Sequence, residues 1–201
     1  MTELITLNSE SATNRIVLLH GWGADAQDLL PIGKLLTEGI KERFEIVSLS
    51  APQPHPSGVG RQWYPLYPHA WEQVPAAVSD LEKRLNNLCF KEIPLNKTFL
   101  IGFSQGGAMA LEVATKKEFA AVFALSSYPH PNWKPLVNIS PIFLCHGDSD
   151  EVVPKEASQT SFDILSKSGI KSDLYFFKGG HEITKDLIDH CSRIIQQKFL
   201  T

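Results

Sequence analysis

The chain is 201 residues long, 43% hydrophobic and 20% charged, and carries a formal net charge of −3. That composition excludes disordered and fibrous chains, and without a run of five like charges there is no basic field for a polyanion such as nucleic acid. A chain of this length is expected to form one domain, residues 1–201, burying roughly 70% of its unfolded surface.

The opening stretch, MTELITLNSESATNR, has neither the basic start nor the continuous apolar run of a signal peptide, and no later segment approaches the ~18 apolar residues of a membrane span. A soluble, cytoplasmic protein is expected. Cys89, Cys145 and Cys191 are odd in number and widely spaced, which suits reduced thiols rather than a zinc site or a disulfide framework.

In chain order, apolar runs rich in Val, Ile and Phe occur at 16–19, 44–49, 98–103, 120–126, 142–145 and 173–177. They read as strands buried on both faces, as in a parallel sheet. Helical stretches are expected at 28–39, 75–88, 105–117, 155–168 and 183–199. Pro75 suits an early helical position, and Val78, Leu81, Leu85 and Leu88 then keep one apolar stripe. Strand alternating with helix predicts an α/β fold with a mostly parallel central sheet and helices on both faces. Residues 51–71, rich in proline, tryptophan and tyrosine, lack a period and read as a long ordered loop.

Chemistry concentrates where strands end. After the strand at 98–103 comes Gly102-Phe103-Ser104-Gln105-Gly106, and the helix-forming Ala108-Met109-Ala110-Leu111-Glu112 follows. This is G-x-S-x-G in a strand-turn-helix setting, the context of a nucleophile elbow. The sharp turn strains the serine, and the flanking glycines let neighbouring backbone approach without a Cβ clash. The bland alternative is a glycine-rich helix entry capped by serine.

A serine hydroxyl needs a base within hydrogen-bond reach, itself oriented by a third group. In hydrolases of this fold the chain order is Ser, then Asp or Glu, then His. Of His130, His146, His181 and His190, only His181 follows a complete strand through a glycine turn, Lys178-Gly179-Gly180. His130 reads as a loop residue between prolines, His146 as a packing or hydrogen-bonding residue, and His190 as a solvated helix residue. The acid is expected after the strand at 142–145, where Asp148, Asp150 and Glu151 compete; Asp150 is preferred because Gly147-Asp148-Ser149 reads as the turn leaving the strand. Oxyanion donors are expected from the Gln105 amide and from Trp22 in His20-Gly21-Trp22-Gly23.

The sequence resembles the phospholipase/carboxylesterase family of bacterial carboxylesterases and acyl-protein thioesterases over nearly its whole length. The likeness rests on LLHGWGAD at 18–25, LSAPQP at 49–54, Trp63-Tyr64, GFSQGGAMAL at 102–111, LSSYP at 125–129, CHGDSDEVVP at 145–154 and GGHEI at 179–183. It implies an α/β-hydrolase cleaving esters or thioesters, with Ser104 as nucleophile, Asp150 as acid, His181 as base and the Trp22 and Gln105 amides at the oxyanion. It also implies no metal or organic cofactor, and some members form homodimers. The same triad would serve a lysophospholipase or another small hydrolase, whereas a non-catalytic binding protein of this fold would be expected to have lost a triad residue. Trp22 stands where the family commonly has leucine. Trp22, Trp63, Tyr64 and Leu66, with Trp71, are the expected substrate-binding residues, and the indole of Trp22 predicts a preference for short to medium acyl chains.

Overall fold

The computed structural model describes residues 4–7, 11–89, 93–136 and 140–199. Seven strands form one sheet in the order β1-β3-β2-β6-β7-β8-β9, comprising Leu4–Leu7, Phe44–Leu49, Asn14–Leu19, Thr98–Phe103, Ala121–Leu125, Ile142–Gly147 and Ser172–Phe177. All neighbouring pairs are parallel except β1 with β3. A separate two-stranded ribbon, β4 (Gln53–Pro54) and β5 (Arg61–Gln62), lies within the expected long loop.

Burial in β2, β3, β6, β7 and β8 is nearly unbroken, as their apolar sequences require. β9 departs from that expectation. It lies at the sheet edge, and its first five residues are only half-buried or exposed before Phe177 turns inward. β1 is not anticipated from sequence: its four residues are too short to show a period, and they gain strand character by pairing with β3.

Among the described residues, five α-helices cover the sheet: α1 (Leu30–Leu36), α2 (Val74–Cys89), α3 (Gln105–Ala114), α4 (Glu156–Lys167) and α5 (Lys185–Phe199). Strand side chains alternate between two cores. Val17 and Leu19 of β2 join the core with Val78, Leu81 and Leu85 of α2, Met109 and Val113 of α3 and Leu165 of α4. Ile16 and Leu18 face the other way, toward Leu36 of α1 and Leu187, Cys191 and Ile195 of α5. Among the described residues, Cys145 and Cys191 are free and buried.

At the N-terminal edge of the strands a charge pair is sealed inside. Arg15 of β2 and Glu45 of β3 stand opposite each other in register and form a buried ion pair, and Arg15 Nη1 also donates to the Ile93 carbonyl at 2.8 Å. Removing one partner strands the other charge out of water, whereas replacing both with apolar groups need not destabilise. Arg15→Ala is therefore expected to lower unfolding free energy by about 3–5 kcal/mol. The double change Arg15→Met with Glu45→Leu should recover most of that loss in urea titrations. A single mutant as stable as the parent would contradict this account.

Candidate active site

The C-terminal ends of β2, β6, β8 and β9 carry the predicted site, because a parallel sheet delivers every such end to the same edge. Ser104 lies between β6 and α3 with φ 53° and ψ −119°, a conformation that side-chain-bearing residues seldom adopt. Its amide donates to the Leu125 carbonyl at 2.8 Å, and its carbonyl accepts from Gly107 and Ala108 at 2.9 and 3.1 Å. The turn closes only because two glycines allow backbone to touch backbone. A Cβ on Gly106 would lie 2.1 Å from the Leu19 carbonyl oxygen, and one on Gly102 would lie 2.2 Å from that of Gly106.

Asp150 and His181 sit on neighbouring strand ends. His181 Nδ1 and Asp150 Oδ2 are 2.8 Å apart, and Asp150 Oδ1 accepts the Val152 and Val153 amides at 2.9 and 2.8 Å. The two loops are joined by backbone. Asp148 and Ser149 donate to the Phe177 and Gly179 carbonyls at 2.9 and 3.0 Å, and a Cβ on Gly147 would collide with the Gly180 oxygen at 2.3 Å. Asp148 is exposed, with its carboxylate bonded to the Ser149 hydroxyl and the Gly179 amide. The His181 ring lies against Phe103, the residue before the serine, with centroids 4.9 Å apart.

Two backbone amides approach the serine. Gln105 begins α3, so its N–H is one of the unpaired donors of the first helical turn. A Cβ on Gly21 would lie 3.3 Å from Ser104 Cβ, which places the Gly21–Trp22 peptide beside the serine. Buried His20 holds that peptide. The Ala51 amide donates to His20 Nε2 at 2.9 Å, leaving the ring proton on Nδ1 to donate to the Gly21 carbonyl at 2.7 Å. A trans peptide aims its N–H opposite to its carbonyl, so the Trp22 amide points away from His20.

Ser104 and His181 open on one cleft of about 440 Å³. Its lining comprises an aromatic wall of Trp22, Tyr67, His69, Trp71 and Tyr128 with Leu66, and an aliphatic wall of Val152, Val153, Pro154 and Ala157. Among the described residues no group of three or more His, Cys, Asp or Glu is arranged to hold a metal ion.

The profile of the phospholipase/carboxylesterase family matches residues 2–198. The chain belongs to that family. It is 30% identical to acyl-protein thioesterase 1 of Cryptococcus neoformans over 183 residues, which is 81% of this chain and 77% of that protein. Among solved structures, esterase PE8 superposes with a TM-score of 0.90 at 28% identity over 98% of both chains. The Bacillus cereus carboxylesterase shares the fold, with a TM-score of 0.84 at 16% identity over 99% of this chain and 95% of its own. No helix among the described residues is long and apolar enough to cross a membrane.

Within this α/β-hydrolase frame, Trp22, Leu66 and Trp71 line the cleft, while Trp63 and Tyr64 lie wholly buried and outside its lining. Trp63 donates its indole N–H to the His20 carbonyl at 2.9 Å. The Tyr64 hydroxyl lies 2.7 Å from His130 Nε2 and 2.9 Å from the Tyr128 hydroxyl, and His130 Nδ1 is 2.9 Å from Glu112. The Gln105 side chain binds the same segment, accepting from the Trp63 amide at 3.0 Å and donating to the Tyr64 carbonyl at 2.7 Å. Sequence reading misses Tyr67, His69 and Tyr128, whose only signal is their aromatic character in loops. It also misses Ala157, on α4. His190 stacks on Tyr175 at 3.9 Å, on the α5 side of the sheet.

The titratable groups respond to this packing. Burial lowers the pKa of both His20 and His146. For Asp150, burial opposes ionisation, but the hydrogen bonds from His181 and the Val153 and Val152 amides outweigh it and leave the pKa lowered. In the unfolded chain a histidine takes up its proton near pH 6.5, so below that point the unfolded state binds more protons than the fold does. Stability is therefore expected to be full above about pH 7 and to fall as pH drops through 6.5. The carboxylate contribution of Asp150 is lost only at much lower pH. Urea titrations at pH 7.5 and 5.5 that gave the same unfolding free energy would contradict the assignment of His20 and His146 as buried neutral rings.

Proposed function

We propose that this family member is a serine hydrolase that cleaves carboxylic esters or thioesters through an acyl-enzyme. Ser104 acts as nucleophile, His181 as general base and then acid, and Asp150 as the group that orients His181. The observation that carries the reading is that His181, 2.8 Å from the buried Asp150, lines the same cleft as a serine held at φ 53°. With Nδ1 of His181 engaged by the carboxylate, Nε2 is the nitrogen left to take the serine proton. The Gln105 and Trp22 amides then donate to the oxygen that becomes negative as the tetrahedral intermediate forms. The acyl-enzyme is released when His181 activates a water in place of the serine.

The lining supports an uncharged acyl group. Among the described residues, no carboxylate, ammonium or guanidinium side chain lines the cleft beside its two histidines, and its volume falls within the roughly 300–1,000 Å³ of ordinary small-molecule sites. Names borne by relatives, acyl-protein thioesterase and esterase, agree with ester or thioester chemistry.

Ser104→Ala is expected to abolish hydrolysis of p-nitrophenyl esters and labelling by a fluorophosphonate while the fold persists. Asp150→Asn should lower kcat by up to about 10⁴, because His181 loses its tautomer and orientation, whereas Asp148→Asn should leave kcat near the parent value. Turnover by the serine variant within tenfold of the parent would remove the basis of the mechanism, and the reverse ranking of the two aspartates would move the acid.

Trp22 is expected to set acyl length. Its indole N–H donates to Gln62 Oε1 at 2.9 Å and its ring packs edge-on against His55 and Tyr67, so it is fixed at the cleft wall. Each added methylene that finds apolar cover should help by up to ~0.8 kcal/mol until the chain meets the indole. The parent should therefore favour short to medium acyl chains, and Trp22→Leu should move the optimum to longer ones while keeping the backbone donor. A length profile across C2 to C16 esters that is unchanged by the substitution would show that another residue limits the pocket.

A further inference from the structure

Asp150 has a second histidine upon it. The Oδ2 atom that meets His181 lies also 3.2 Å from Nε2 of His146, a wholly buried residue near the end of β8. The partners of His146 assign its proton. Nε2 is 2.8 Å from the Val153 carbonyl, which only accepts, so Nε2 carries hydrogen. Burial keeps the ring neutral, and bare Nδ1 accepts the Ser158 hydroxyl at 2.6 Å. The Nε2 hydrogen thus points to the Val153 carbonyl, and the Asp150 carboxylate lies beside it at 3.2 Å as a second, longer contact.

An ionised carboxylate offers about four acceptor sites. Here the Val152 and Val153 amides take two on Oδ1 and His181 takes one on Oδ2, and His146 Nε2 stands 3.2 Å from the remaining side of Oδ2. Val153 is held on both sides, its N–H by Asp150 and its C=O by His146. Asp150, His146 and the aliphatic wall at 152–154 therefore form one closed unit, tied to α4 through Ser158.

We propose that His146 is a positioning residue of the catalytic machinery, its Nε2–H holding Asp150 Oδ2 in the direction that meets His181. This rests on the reading of Asp150 and His181 as acid and base. A histidine that merely filled the turn would be replaceable by any side chain of similar size and polarity. One that positions the acid must keep a donor at the Nε2 position.

Two polar substitutions separate these cases. The amide introduced by His146→Gln reaches as far as Nε2, whereas the shorter amide of His146→Asn reaches only the Nδ1 position and Ser158. On p-nitrophenyl butyrate, His146→Asn should lower kcat by about 10- to 100-fold, the worth of one hydrogen bond to a charged group, with KM within about threefold. His146→Gln, which keeps a donor at the Nε2 position, should recover most of the kcat lost in the Asn variant. Parental kcat in the Asn variant, or equal losses in both, would overturn the proposal. Nitrogen-15 spectra of the histidines in the unsubstituted chain give an answer independent of turnover or of variant folding: His146 should show a protonated Nε2 and a bare Nδ1, and the opposite tautomer would also overturn it. The expected tautomer in a chain that neither turns over esters nor labels at Ser104 would instead fault the hydrolase reading.

Discussion

Ser104 keeps its positive φ because helix α3 lies directly on the ends of β2 and β6 with no side chain between them. Strain at one residue persists only where its surroundings leave it no alternative. Here the surroundings are backbone: the Leu19 and Gly106 carbonyls occupy the space that any Cβ at Gly106 or Gly102 would need. The same approach brings the first turn of α3 beside the turn after β2. The amides of Gln105 and Trp22 and the serine side chain are therefore placed by one packing event rather than three.

A similar close approach joins the other half of the site. Gly147 lets the loop bearing His181 rest on the end of β8, and the backbone bonds from Asp148 and Ser149 extend the β8–β9 pairing past the strand ends. His181 thus sits on a loop that is held like a strand. Asp150 is buried but hydrogen-bonded at both carboxylate oxygens, which keeps it ionised away from water.

The cleft walls have different origins. The aliphatic wall is a by-product of the turn that bears Asp150, since Val152 and Val153 bind Asp150 through their amides and also line the cleft. The aromatic wall draws Trp22 from the turn after β2, Tyr128 from the loop after β7, and Leu66, Tyr67, His69 and Trp71 from the segment after β3, which is held by bonds from Trp63 and the buried side chain of Gln105. Gln105 therefore links the loop to the helix that carries the elbow, so cleft shape and serine geometry share a support.

Much of this is legible in the sequence. The five central strands, five helices and elbow follow from apolar period and glycine placement, because buried parallel strands and tight turns tolerate few other residues. That Ser104, Asp150 and His181 meet at one edge is readable because each follows a strand end, and a parallel sheet gathers those ends together. Tertiary structure alone decides the rest. β1 exists through pairing with β3, and β9 is half-exposed because it is an edge. Trp63 and Trp71 look alike in sequence, yet one is sealed beneath the cleft and the other lines it, since a loop without a period carries no signal for which face each ring takes. His146 likewise reads as a strand-end histidine. Its contact with Asp150 arises because the turn at 147–153 folds that carboxylate back over the strand that precedes it, an approach set by backbone path rather than by residue type.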